Sequence, residues 1–373
     1  MATAEARRSA PGSATELAAE LGAATEAGVG VRVSGAGTKL RWAPDAQPAL
    51  ELSTAGLDRI VEHNAGDLTA VLEAGVPLAR AQETFRDAGQ MLALDPPDAG
   101  GATIGGVVAA NDSGPLRARY GSARDLVVGM RVALSDGTVA KSGGKVIKNV
   151  AGYDLAKLFT GSYGALGAIL EVAVRLHPLP PETATAVGHT YSQEALARGA
   201  AALTHARLEQ LGLDVRWAAG AGMVLARFGG VAARPQAETA EGLLREAGLE
   251  AELVTDDASL WQAQRDGQRS PHGLVVRVSG VQTDLGELAG VAERHGATLV
   301  GRAGLGLCWL RLDEAEREGD GEALVDELRR SHLAVVLDRP AGMAGEPLEP
   351  RDPGAAVLLR RVKERFDPSG TLV

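Results

Sequence analysis

Two short runs put bare backbone where a ligand could reach it. Ser34-Gly35-Ala36-Gly37-Thr38 follows a strand-like stretch at 30–33, and Ala102-Thr103-Ile104-Gly105-Gly106 leads into small apolar residues as far as Ala110. Glycine lets a main chain come close to a ligand, and successive turn amides or the open end of a helix present N–H groups to an anion. Thr103 is placed to cap a short helix over 104–110, which would set free amides and a positive dipole end beside Gly105-Gly106. A third run, Gly161, Gly164 and Gly167, precedes a long apolar strand. Together with the short polar residues Asn111 and Ser113, these runs suit a phosphate-bearing cofactor cradled by amides. The first run departs from the common nucleotide signatures. Gly35-x-Gly37 is followed by Leu40 where a Rossmann turn needs a third glycine, and no GK[ST] ending is present, so a plain hairpin turn fits it equally.

The remaining composition narrows the chemistry. Cys308 is the only cysteine among 373 residues, so neither an internal disulfide nor a four-cysteine iron–sulfur site can form. The seven histidines are scattered without an i,i+4 pair, which gives no local metal motif. A net charge of −10 argues against nucleic acid or an anionic membrane as the main partner. No run of about 18 apolar residues predicts a membrane span, and the N-terminus lacks the apolar core of a signal peptide. Cytoplasm is the expected compartment, with membrane association only through partner subunits.

Hydrophobic periodicity supplies the elements that must position these residues. A helix is expected over 15–27 with Leu17, Leu21 and Ala24 on one face, then a strand at 30–33 leading into the first turn. Strands are expected at 49–53, 59–62 and 68–73, and Pro77 opens a helix with Leu78, Ala81 and Phe85 as its apolar stripe. Residues 126–134 and 138–141 form a hairpin around Asp136-Gly137, and 166–176 a long strand. The proline cluster at 178–181 marks a domain boundary. Beyond it strands and helices alternate in two similar rounds, suggesting an α+β domain with an antiparallel sheet of the split βαβ type. Trp217, Trp261 and Trp309 are expected as core or interface anchors.

SGAGT, the spaced pattern TIGG(x4)ND(x)G(x5)YG(x3)D, and KNVAGYDLAKLFTGSYGALGAI resemble the PCMH-type flavoproteins, the family of vanillyl-alcohol oxidase and p-cresol methylhydroxylase. Within it, GGKVIKNVAGYDLAKLFTGSYGALG is most similar to the FAD-binding E subunits of glycolate oxidases. The likeness is dense over about residues 28–180 and returns at KERFDPSG. It implies an α+β chain: a tail and helix over 1–27, an FAD-binding domain of two α/β subdomains over 28–180, and a ferredoxin-like cap over 181–373 with a C-terminal helix. Carried onto this sequence, it assigns FAD to Ser34, Gly35, Ala36, Gly37 and Thr38, then to Ala102, Thr103, Ile104, Gly105 and Gly106. Ala109, Asn111, Ser113 and Gly114 would lie near the flavin, and Gly164, Gly167 and Ile169 on the adenine side. Arg119, Tyr120 and Gly121 are a family landmark that serves either FAD contact or a structural turn. Covalently flavinylated relatives carry a histidine just after the first glycine turn. Thr38 and Lys39 stand there here, so attachment is expected to be non-covalent.

The resemblance implies oxidation of a short 2-hydroxy acid, glycolate to glyoxylate, with electrons passed to an iron–sulfur subunit and a catalytic sister flavoprotein subunit as a further partner. Alternatives are a non-catalytic FAD-binding subunit of such a complex and a stand-alone oxidase of alcohols or sugar lactones. Oxidation of a hydroxy acid needs a base and a cation for the carboxylate. Arg277 and Arg302 on cap strands, the loop residue His272, and Lys145 and Lys148 flanking Asn149 are the candidates, and the sequence singles out none as catalytic.

Overall fold

A computed structural model describes residues 6–43, 46–97, 100–145, 153–313, 319–340, 342–343 and 352–373. The chain divides into two compact units. The first comprises Met1–Ser113, Gly121–Leu179 and Pro347–Val373, and the second Gly114–Tyr120 and Pro180–Glu346.

The first unit opens with β1 (Arg7–Ser9) and α1 (Ala14–Glu26), followed by β2 (Val31–Ser34) and β3 (Leu50–Ser53). The order β1-β3-β2 is parallel throughout, and α1 lays Leu17, Leu21 and Ala24 on Val31, Leu50 and Leu52. Ser13 caps α1 by accepting from the Glu16 amide at 3.2 Å. Next come β4 (Ile60–Asn64), β5 (Thr69–Glu73), α2 (Leu78–Arg86), β6 (Gln90–Met91) and α3 (Ile104–Ala110). A short turn of helix, α4 (Arg117–Tyr120), clusters with the second unit, and α5 (Ala123–Leu126) returns to the first. Strands β7 (Val127–Ala133) and β8 (Val139–Gly143), helix α6 (Ala156–Phe159), and strands β9 (Ala168–Arg175) and β10 (His177–Pro178) finish the run. Five of these strands make an antiparallel sheet ordered β4-β5-β9-β7-β8. The β7–β8 turn has Gly137 at φ +82, where a side chain would be strained.

The second unit is one eight-stranded antiparallel sheet. Its first round runs β11 (Thr183–Thr190), α7 (Gln193–His205), β12 (Gly212–Ala218), β13 (Ala221–Gly229), α8 (Ala233–Glu246) and β14 (Glu250–Val254). Helix α9 (Ala258–Asp266) leads to the second round: β15 (Leu274–Ser279), α10 (Leu285–Arg294), β16 (Thr298–Arg302), β17 (Leu307–Leu312), α11 (Asp320–Ser331) and β18 (Leu333–Val336). The strand order β14-β11-β13-β12-β16-β17-β15-β18 is two split βαββαβ rounds joined edge to edge where β12 pairs with β16. The antiparallel α+β cap expected from the sequence is therefore present. One core cluster gathers Val215, Trp217, Val276, Val278, Leu299 and Leu310 from the sheet with Leu203, Leu244, Leu288 and Leu324 from the helices.

Two boundaries differ from the sequence expectation. Residues 6–27 are built into the first unit, because β1 pairs with β3 and α1 covers the sheet. The C-terminal helix α12 (Pro353–Phe366) also belongs to the first unit, not to the cap. Lys363 Nζ donates to the Ala165 carbonyl at 2.9 Å and the Leu372 carbonyl at 2.8 Å, and it pairs with the buried Asp367 at 2.5 Å. Asp367 in turn accepts from the Thr371 and Leu372 amides. The conspicuous KERFDPSG segment thus ties the chain end alongside β2: Val31 N donates to Thr371 O at 2.7 Å, and Val373 N to Val31 O at 3.0 Å. Among the described residues no helix is long and apolar enough to cross a membrane.

Candidate functional site

Held by β3 on one side and residues 371–373 on the other, β2 delivers the Ser34–Thr38 turn to a cleft in the first unit. The Thr54 amide fixes its end by donating to Ser34 O at 2.8 Å. Gly37 has φ +75, and among the described residues the amides of Gly35, Ala36 and Gly37 donate to no protein acceptor. Three successive unspent N–H groups in such a turn form an anion-binding concavity. The turn lines one part of the cleft with Thr38, Lys39, Thr103, Gly106 and Ala109. The adjoining part shares Val33, Ser34, Gly35, Gly106, Ala109 and Tyr163 with the first, and adds Thr54, Ala74, Gly105, Gly164, Gly167 and Ile169.

Helix α3 forms the opposite wall, and its amides are spent differently from the sequence expectation. Ile104 N donates to Val76 O at 2.9 Å, Gly105 N to Ala74 O at 2.7 Å, and Gly106 N to the capping Thr103 Oγ1 at 3.3 Å. The predicted cap is there, but the helix start is stitched to the chain after β5 and keeps no free amide for an anion. Its glycines act through space. A Cβ on Gly105 would stand 2.7 Å from Ala74 Cβ, and one on Gly35 would overlap Thr103 Oγ1. Close approach of the turn to α3 therefore requires glycine at 35, and close approach of α3 to the chain after β5 requires it at 105.

Twelve of the seventeen assigned residues come together here: Ser34, Gly35, Ala36, Gly37, Thr38, Thr103, Gly105, Gly106, Ala109, Gly164, Gly167 and Ile169. Ala102 and Ile104 are buried behind the wall. Asn111 ends α3 in the left-handed region at φ +47 and accepts from the Arg124 amide at 3.2 Å. Ser113 is buried, and its amide donates to Asp112 at 2.9 Å. Gly114 falls in the second unit, where its carbonyl accepts from Arg302 Nε at 3.3 Å.

Lys39, Asp112 and Tyr163 carry weight that sequence reading missed. Lys39 and Asp112 are both buried and paired at 3.3 Å, joining the residue after the Ser34–Thr38 turn to the residue after the α3 cap. Lys39 Nζ also lies 3.3 Å from Thr38 Oγ1 and 5.8 Å from the centre of the Trp42 ring. The SGAGTK and AND strings held the only signal, a lysine and an aspartate each abutting a glycine or helix terminus. Tyr163 has φ +53, and its amide donates to Ala109 O at 2.9 Å, which brings the glycine run against α3.

The catalytic candidates separate as follows. Arg302 is fully buried, with its guanidinium 4.3 Å from the centre of the Trp309 ring. His272 is exposed in a loop, and Lys145 pairs with Glu62. Lys148 and Asn149 lie outside the described residues. Arg119 pairs with Glu209 at 3.5 Å, burial raises the Tyr120 hydroxyl, and Gly121 sits at φ +83 against Asp125. The landmark is thus a turn in which Asp125 accepts from the Ser122 amide at 2.8 Å. Cys308 is buried, and burial pushes its thiol up to about 12, so it is an inert core residue. Among the described residues no group of three or more His, Cys, Asp or Glu is placed to hold a metal.

Residues 7–143 match the family of the FAD binding domain. Over 139 residues the chain is 40% identical to glycolate oxidase subunit GlcE of Escherichia coli, a match covering 37% of this chain and 40% of that one. Over 172 residues it is 34% identical to glycolate oxidase subunit GlcD of Bacillus subtilis, covering 46% of this chain and 37% of that one. The matched stretch thus spans less than half of either relative. A solved structure of alkyldihydroxyacetonephosphate synthase superposes with a TM-score of 0.73 over 98% of this chain and 76% of that one, at 14% identity, a likeness of fold alone. Residues 7–143 are therefore similar to an FAD binding domain, and the chain has the fold of that synthase.

Proposed function

We propose that the chain holds FAD non-covalently in this cleft and oxidises a short 2-hydroxy acid, glycolate by the names of its relatives, handing electrons to an iron–sulfur partner. The observation that carries the reading is the set of three unspent amides at Gly35, Ala36 and Gly37, opening into a cleft that continues to Gly164, Gly167 and Ile169. Amides suit a pyrophosphate without burying a further cation. The cradle also depends on glycine, since a Cβ on Gly35 would overlap Thr103 Oγ1 and push the turn off α3. The turn would take the pyrophosphate, and the backbone around Gly164 and Gly167 the adenine. Bound FAD would supply the two-electron acceptor. Thr38 and Lys39 offer no imidazole or thiolate for covalent attachment, and Lys39 is held by Asp112. The partner is invoked because one buried cysteine cannot hold a cluster.

A second reading, an FAD-loaded subunit that depends on a sister chain for catalysis, is favoured by the likeness to both GlcE and GlcD, two differently named subunits of glycolate oxidase. Anaerobic addition of glycolate or D-lactate to the purified yellow protein separates the two. Bleaching of the flavin band supports the enzyme, and bleaching only after a partner chain is added supports the subunit. A flavin that neither acid reduces under any condition overturns both. Flavin that stays with the pellet on acid precipitation refutes non-covalent attachment.

A further inference from the structure

A groove in the second unit is lined by His189, Thr190, Tyr191, Arg216, Met223 and Glu250. Strand register explains the grouping. Glu250 on β14 faces His189 on β11, His189 faces Met223 on β13, and Met223 faces Arg216 on β12. Four neighbouring strands therefore set these residues in one row. Leu213, Val215 and Trp217 on β12 point into the helical core, so Arg216, alternating with them, points to the opposite face.

Arg216 is partly buried, and burial, then the nearby Arg311, holds its guanidinium below the usual arginine range. Among the described residues that guanidinium makes no hydrogen bond and no ion pair. Three other arginines of the same face are served, Arg227 by Asp257 at 2.7 Å, Arg302 by the Gly114 carbonyl and the Trp309 ring, and Arg311 by Asp313 at 2.9 Å, while Arg277 on β15 shares the face but does not line this groove. Glu250 stands three strand spacings from Arg216, roughly 14 Å along the sheet, too far to neutralise it. His189 is turned to Glu252 at 3.2 Å. Between the ends the floor is apolar, formed by Met223 with Ala218 and Ala221. The Thr190 hydroxyl accepts from the Ser192 amide at 3.1 Å and keeps its proton to donate. A planar guanidinium partly stripped of water and lacking an anion is matched by a carboxylate, which can take two parallel N–H bonds.

We propose that this groove binds the carboxylate of a small organic acid, with Arg216 as its anchor and Met223 and Ala218 beneath the apolar body of the ligand. Every lining residue lies in the second unit, so the site stands independently of the flavin reading.

The probe is isobutyrate, which carries no hydroxyl to oxidise, with isobutyramide as its neutral counterpart. Both are titrated into the flavin-loaded full chain and followed by ligand-observed NMR. Saturable binding of isobutyrate but not isobutyramide is expected. Arg216→Gln should weaken it at least about tenfold, the loss expected for a charge-assisted pair, and Arg216→Lys should restore part. The flavin absorbance and thermal midpoint of each variant report whether the chain is still folded. No saturable binding, or equal binding by folded Arg216→Gln, overturns the site. Steady-state kinetics of the unmodified protein identifies the acid served. Competitive inhibition of glycolate oxidation by isobutyrate marks the groove as the place of the oxidised acid, and a non-competitive effect marks a separate, non-reacting acid. Failure of glycolate to bleach the flavin would sink the functional reading and leave the isobutyrate result standing.

Discussion

Gly35→Ala should strip the protein of most of its flavin. Gly35 is not in the left-handed region, so alanine costs nothing in backbone conformation there and the effect comes from space alone. The new Cβ would overlap Thr103 Oγ1 and stand 3.2 Å from Thr103 Cβ and 3.3 Å from its Cγ2. Thr103 cannot swing away freely, because its hydroxyl accepts the Gly106 amide and caps α3. Turning it off its rotamer costs about 1 kcal/mol, and losing the cap costs about another 1 kcal/mol. The alternative is retreat of the Ser34–Thr38 turn, which misaligns the amides of Gly35, Ala36 and Gly37. A hydrogen bond to a charged group contributes about 1.5–3 kcal/mol, so losing one lowers FAD affinity roughly tenfold to a hundredfold. The assay is quenching of flavin fluorescence when FAD is returned to deflavinated protein. A companion Gly35→Ala/Thr103→Ala variant, which removes the overlapping oxygen, should recover part of the affinity. Wild-type affinity in Gly35→Ala, within about twofold, would refute the argument that the two walls meet at this glycine.

Two further perturbations test the surroundings. Lys39→Met leaves the Asp112 carboxylate buried without its cation and should cost about 3–5 kcal/mol, read as a fall in denaturant midpoint, with partial recovery in Lys39→Met/Asp112→Asn. Burial, opposed by Arg302, pushes the Asp214 carboxyl up to about 6 from an ordinary 3.8. With the folded value raised, the stability this group contributes is complete below about pH 4 and is lost as pH rises through about 6. Asp214→Asn should therefore gain stability relative to wild type by about 3 kcal/mol between pH 4 and pH 7.5, and a pH-independent difference would refute the assignment.

By itself the sequence determined the local elements and the cofactor class. The stripe Leu17, Leu21 and Ala24 dictates an amphipathic helix, Asp136-Gly137 a hairpin, and Thr103 a cap, because each rests on contacts within a few residues. The two rounds of alternating strands and helices likewise showed an antiparallel α+β domain, since periodicity reports which face is buried. What only the tertiary structure decided depends on partners far apart in the chain. The amides of α3 looked free until Val76 and Ala74 were seen to take two of them, which leaves the unspent amides in the Gly35–Gly37 turn. Lys39 and Asp112 stand 73 positions apart, and Val31 exchanges hydrogen bonds with Thr371 and Val373 while Lys363 reaches the Ala165 carbonyl, pairings that no local pattern encodes. Arg216 reads in sequence like any other strand arginine. Its lack of a partner emerges only when β11, β13 and β12 are laid in register, because an unmet charge is defined by everything around it and not by the residue that bears it.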